Sequence, residues 1–323
     1  YLLNLDVSMG IWFFAMLNML AMGALRMLGW SLGPEQPYSS PAPPSIAHLA
    51  LGAMFFLVFS SMWSGRHHLK AVWRKAWHGD DSVDDSGELL SYRVAVFGLL
   101  GGLVLGTTWL YIGNMGLLTA VVFQLSALII FVGLARIISQ AGLAYCRAPV
   151  APAVFTVNTL GSSVVGPSGL TALALNFPWS ADIRTFVMAS AATGLKLAEV
   201  TRLEHRRLFW AIAIAIGATF TGSAITVLYL AYAHGGINLG GWQFGGMTNY
   251  TGNWIVRNIN SPEPVHIWHL SFAGLGAALM GLLTFVKNRF VGFPIHPIGL
   301  AVGLPHPVQI IWPSVFFAWL CKA

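Results

Sequence analysis

Charge is the scarcest property of this chain. Asp, Glu, Lys and Arg together make up 9% of its 323 residues, where ordinary soluble domains carry about a quarter. Such a chain lacks the polar residues to cover a water-facing globule, which excludes a soluble domain of its own. Cysteine is as rare. Cys146 and Cys321 make neither a disulfide framework nor a metal-ligand spacing, so both read as buried thiols. No phosphate loop, dinucleotide fingerprint, HExxH helix or nucleophile elbow is found, and no acid–nucleophile pair stands in for them. That excludes the familiar enzyme chemistries, and no catalytic residue, cofactor ligand or metal ligand is assigned. A starting Met and a signal-peptide layout are missing too. With the chain stopping at Cys321-Lys-Ala straight after an apolar run, both ends read as cut from a longer protein.

Apolar residues are what is abundant, at 56%, with a mean hydropathy of +0.69. A membrane-crossing helix needs about 20 of them in a row. Met9–Leu28, Ile46–Ser64, Val94–Ile112, Leu117–Ala135, Leu208–Ala231 and Ile267–Phe285 qualify. Two further apolar regions, Ile137–Leu175 and Gly292–Leu320, are broken by Gly and Pro. The expected fold is all-α: a polytopic transmembrane helix bundle, one domain over 1–323, with two broken or re-entrant segments. The net charge of +6 sits between the apolar segments, so it points to anionic lipid headgroups and not to nucleic acid.

The basic residues also orient the spans. Arg66, Lys70, Arg74, Lys75 and Arg93 flank one connection; Arg136, Arg147, Arg184, Lys196, Arg202, Arg206 and Arg207 lie in another; Lys287 and Arg289 follow the Ile267 span. Ser31–Ser45 has no Lys or Arg, and Ala233–His266 has only Arg257. By the positive-inside rule the basic connections are cytoplasmic. Both ends of Ile137–Leu175 then fall on the cytoplasmic side, so this region enters the membrane and returns. It is short for two full spans, which favours a re-entrant hairpin. Arg66–His78 reads as an amphipathic interfacial helix, its Leu69, Val72, Trp73, Ala76 and Trp77 opposite Arg66, Lys70 and Arg74, with Gly79 as a stop. The acidic run Asp80 to Glu88 completes a cytoplasmic unit over 66–92. Phe186–Arg207 reads as another amphipathic piece, and 233–266 as an ordered external loop rich in Gly, Asn and aromatics.

The helix breaks are where function is expected. Backbone at membrane depth cannot leave its N–H and C=O groups unpaired in lipid, so a break survives only inside protein or beside a hydrated cavity. Transporters use such unwound segments to hold solutes and ions. Candidate substrate-binding residues are Asn158, Gly161, Ser162, Ser163, Gly166 and Ser168 on the first break, with His296 from the second. The bland reading is a packed connecting loop of small residues. His266 and His269 have a metal-compatible i, i+3 spacing but no visible third ligand, and a lone His in a span is most often a hydrogen-bonded core residue.

Leu5-Asp-Val-Ser-Met-Gly-Ile-Trp-Phe-Phe14, Asp84-Asp-Ser-Gly-Glu-Leu-Leu-Ser-Tyr-Arg93, Ala135-Arg-Ile, Ala141-Gly-Leu143 and Phe293-Pro-Ile-His-Pro-Ile-Gly299 resemble a bacterial and archaeal membrane family. That family has no assigned function and is distantly similar to the oligopeptide transporter superfamily. The resemblance implies a protein of about twice this length, with this chain as its C-terminal half, in a prokaryotic cytoplasmic membrane. It also implies an acidic residue before Ala141-Gly-Leu143, where this chain has Gln140.

The leading expectation is a secondary transporter, or transporter-like protein, for a small polar solute of the peptide or metal-chelate class. The alternative is a non-transporting accessory or scaffold subunit of a larger membrane complex. A pigment or electron-transfer subunit using His266, His269, His296 or His306 comes third. Expected partners are lipids, the solute, and either a second copy or a larger complex. The topology is testable by labelling. In a variant lacking both native cysteines, a cysteine at position 245 should react with an impermeant maleimide on intact cells. One at position 82 should react only after permeabilisation, and the opposite pattern refutes the orientation.

Overall fold

The computed structural model describes residues 3–29, 44–143, 146–180, 187–201, 205–290, 292–304 and 306–323. Every element among them is a helix. In chain order these are α1 (Leu5–Met27), α2 (Pro44–Ser64), α3 (Arg66–His78), α4 (Tyr92–Ile112), α5 (Leu117–Ala141), α6 (Pro152–Leu160) and α7 (Ser162–Leu175). They continue with α8 (Phe177–Ser180), α9 (Val187–Thr201), α10 (His205–His234), α11 (Met247–Asn260), α12 (Ile267–Arg289), α13 (Ile298–Val302) and α14 (His306–Leu320). Six of them, α1, α2, α4, α5, α10 and α12, are long and apolar enough to cross a membrane. Each matches an expected span to within a few residues at either end.

The frame of the bundle is the parallel pair α2 and α12. Gly52 lies against the Ala273 backbone and Gly276 against that of Leu49, and the flanking pairs His48 with His269 and Phe56 with Gly281 show that the two helices run in the same direction. A methyl group on Gly52 would meet the Ala273 carbonyl oxygen, and one on Gly276 that of Leu49. Between helices already surrounded by hydrocarbon, association relies on such close backbone approach rather than on the hydrophobic effect. α5 packs on α2, its buried stripe including Phe123, Ile130 and Leu134, with Gly133 seating the Met54 side chain.

α4 is covered far less. Polar contacts tie it to α5: Thr107 Oγ1 donates to Gln124 Oε1 at 2.9 Å, and Gln124 Nε2 donates to the Leu103 carbonyl at 3.1 Å. At the other flank, α1 packs against α13 and α14. Lys287 near the end of α12 reaches Asp6 in the first turn of α1 at 2.5 Å and the Phe293 carbonyl at 2.7 Å. The acid at a helix start and the base at a helix end both suit the helix dipoles.

α3 has the expected bounds and ends at Gly79, whose N–H donates to the Lys75 carbonyl. Trp73 and Trp77 stack at 5.9 Å, and Trp77 stacks on Phe97 of α4 at 5.7 Å. In the acidic run that follows, the carboxylates build turns. Asp80 pairs with Arg74 at 2.6 Å, and hydrogen bonds from Ser82 hold its carboxyl below the ordinary carboxylate range, aided by Arg74. Asp85 accepts the N–H of Tyr92 at the start of α4.

Inside the expected external loop 233–266, Met247–Asn260 forms a helix whose apolar Trp254 and Ile255 pack onto the core. Its Gly and Asn content masks the helical spacing of those residues. Cys146 is buried as expected, but Cys321 is exposed. Of the Phe186–Arg207 piece, Phe186, Arg202 and Glu204 lie outside the described residues, as does Arg184; the remainder contains α9, with Lys196 and Glu199 paired at 2.7 Å.

The crossing of α2 and α12 is open to test. Gly276→Ala should destabilise the purified protein by about 1–3 kcal/mol through overpacking. Gly98→Ala on α4, where nothing lies within 4 Å, should not. Equal thermal unfolding of the two variants would show that the crossing is not tight.

Candidate functional site

The first break consists of two interruptions. Gly161 (φ +84°) separates α6 from α7, and Gly166 (φ +70°, ψ 168°) kinks α7 immediately before Pro167. L side chains are strained at these dihedrals, so the chain changes direction where glycine allows it. The backbone groups released here are taken up by the segment entering α12. His266 N–H donates to the Asn158 carbonyl at 2.9 Å, Ser162 N–H donates to the Glu263 carbonyl at 2.9 Å, and Glu263 N–H donates to Ser162 Oγ at 2.7 Å. The pairing 158 with 266 and 162 with 263 is antiparallel. A Cβ on Gly161 would stand 3.2 Å from the Glu263 oxygen and the Pro264 carbonyl carbon, so glycine also permits the close approach.

A line of polar side chains runs inward from this clasp. Arg257 lies 3.4 Å from Glu263, and the other carboxylate oxygen of Glu263 is 2.7 Å from His266 Nε2. The His266 ring stacks on His269 at 5.0 Å, and His269 stacks on His48 at 4.8 Å with 13° between planes. His48 Nε2 is 3.0 Å from Asn158 Nδ2, the amide donating to the ring nitrogen, and Ser45 Oγ is 3.5 Å from His269 Nδ1. Exposure falls along the line: Glu263 and His266 are partly exposed, while His269 is 5%, Asn158 2% and His48 0% accessible. The imidazoles lie face to face, and among the described residues no three His, Cys, Asp or Glu groups converge on a point suited to a metal ion. The arrangement offers stacked rings, an amide and hydroxyls at a helix break, suited to hydrogen bonding a neutral or weakly charged solute.

Of the expected site residues, Asn158, Gly161 and Ser162 come together here. Gly166 is half-buried at the kink, while Ser163 and Ser168 are exposed on the far side of the turn. His296 has another neighbourhood. Its backbone lies against Gly10 of α1, and its Nδ1 accepts the Ile298 N–H at 3.3 Å. α13 packs on α1, α2 and α5, and α6 on α5, α7, α8 and α12. The residues that sequence reasoning missed are His48, Ser45 and Glu263. His48 carried a usable signal, since an ionisable residue inside an apolar span is by default a functional candidate. Glu263 carried none, because only the fold brings it to Ser162.

An all-helical chain with six helices of membrane-crossing length and a buried polar cluster at a helix break has the character of a polytopic membrane protein. It belongs to DUF6785, a family of unknown function, whose profile matches residues 1–323. The family match carries no link to the oligopeptide transporter superfamily. No curated protein and no solved structure matches the chain.

The clasp gives a stability test. Ser162→Ala leaves the Glu263 N–H without its acceptor and should cost about 1–3 kcal/mol. Ser163→Ala, exposed one residue away, should be close to neutral. If both melt alike, Ser162 does not hold the break.

Proposed function

We propose that this protein is a secondary transporter, or a transporter-like protein, for a small polar solute, with its site at the first break around Asn158, His48 and His269. One observation carries the reading: an interrupted helix with a fully buried, mutually hydrogen-bonded Asn158 and His48 beside it. Polar groups at membrane depth are costly and are retained where they bind something. The resemblance of the short sequence motifs to a family distantly similar to the oligopeptide transporter superfamily makes peptides and metal chelates the first solutes to try. The cytoplasmic membrane of a prokaryote is the proposed location.

A second reading, an accessory or scaffold subunit of a larger membrane complex, is favoured by α10. The apolar window of this 30-residue helix has none of its residues buried, and its neighbours are α9 and the short helical turn at Gly236–Asn238.

Uptake of labelled di- and tripeptides and ferric chelates into proteoliposomes separates the two. Asn158→Leu is nearly isosteric, so the folded protein should remain while uptake falls by at least about tenfold, as expected when a buried partner is left unpaired. Undiminished uptake in the variant would remove the site from the first break. No uptake of any solute by the parent protein would favour the scaffold.

A further inference from the structure

The polar line at the first break is covered at its exposed end. His269 lies under the His266 ring and His48 under His269, and His269, Asn158 and His48 are all at most 5% accessible. A solute entering from this end has to pass His266. That residue closes the six-residue strap 261–266, which joins α11 to α12.

The helices on either side of the strap are anchored. Trp254 of α11 meets Phe177 edge to face at 5.3 Å, and α12 touches α2 backbone to backbone at Gly52 and Gly276. The strap itself is held more lightly. Pro262 and Pro264 have no N–H to satisfy. Glu263 N–H donates to Ser162 Oγ at 2.7 Å, His266 N–H donates to the Asn158 carbonyl at 2.9 Å, and the Glu263 carbonyl accepts the Ser162 N–H at 2.9 Å. The side chains of Glu263 and His266 are 33% and 25% exposed, so water reaches this edge and can replace each bond as it breaks. Such an exchange is cheap beside parting two helices in backbone contact, which forfeits their packing outright.

Glu263 ties the strap to its surroundings through its side chain as well. One carboxylate oxygen is 2.7 Å from His266 Nε2 and the other is 3.4 Å from Arg257 Nη2 on α11. The carboxylate thus links the ring that covers His269 to a helix that is itself packed on the core. Both contacts are partly exposed, so they hold the ring without fixing it permanently.

We propose that the strap 261–266 is a gate over the first-break site, with Glu263 as the positioning residue that keeps the His266 ring over His269. This rests on the reading of the first break as a solute site. The test measures access and not uptake, so a failed gate and a failed transporter give different results.

The full chain in nanodiscs carries Cys321→Ser and Ser45→Cys, the new thiol replacing a hydroxyl that is 0% accessible and 3.5 Å from His269 Nδ1. Native Cys146, also buried, is the internal reference, and labelling of both thiols by a charged methanethiosulfonate is followed by mass spectrometry. Glu263→Ala should speed labelling at position 45 about threefold, a modest factor because the lost contacts are partly exposed. Adding Ser162→Ala, which removes the acceptor of the Glu263 N–H, should bring the gain to about tenfold. Glu263→Gln keeps an acceptor for Arg257 and should fall between the parent and Glu263→Ala. Cys146 should label at the parent rate throughout. If the double variant does not fold, Glu263→Ala decides alone, since its side chain lies at the surface. Equal rates at position 45 in the parent and Glu263→Ala overturn the proposal. So does a parallel rise at Cys146, which would mean that the whole bundle has loosened, or labelling at position 45 in the parent as fast as at the exposed Cys321 of the native chain, which would mean that nothing is shut.

Discussion

A backbone amide that leaves its helix inside a packed bundle must find a new partner there, and the arrangement of this bundle follows from how that demand is met. At Gly161 the released groups of Asn158 and Ser162 pair with Glu263 and His266, so the chain entering α12 is held against the end of α6. Holding that entry in turn places His269 over His48 and His48 beside Asn158. The polar line is thus a consequence of satisfying the break.

The clasp needs a rigid support, which the crossing of α2 and α12 provides. Gly52 and Gly276 bring the two backbones into contact one to two turns below His48 and His269. With side chains larger than hydrogen at these points the two histidine-bearing helix starts would be forced apart. The same two helices therefore supply both the tightest packing of the bundle and two of the polar residues buried at its first break. The second break rests on α1 and, in common with the first, on α2.

Much of this was legible in the residues. The spans follow from runs of apolar side chains, whose length the hydrocarbon thickness dictates. The interruption near Asn158 follows from Gly161, Gly166 and Pro167, because their backbone preferences are local. The end of α3 at Gly79 is local in the same way. The helix at Met247–Asn260 was not legible, since the four Asn and one Gly among its 14 residues are poor helix formers and its stability comes from Trp254 and Ile255 packing on the rest.

What the sequence determined by itself was therefore the set of helices long and apolar enough to cross a membrane and the places where other apolar stretches break, since both depend on side chains within one or two turns. What only the tertiary structure decided was which polar groups meet. Glu263 is 101 residues from Ser162, and Asn158 is 110 from His48. No periodicity reports a contact across such distances; helix packing sets it. Ser162 and Ser163 show the difference in one step: neighbours of the same type, one buried against Glu263 and the other exposed, separated by the turn that Gly161 begins.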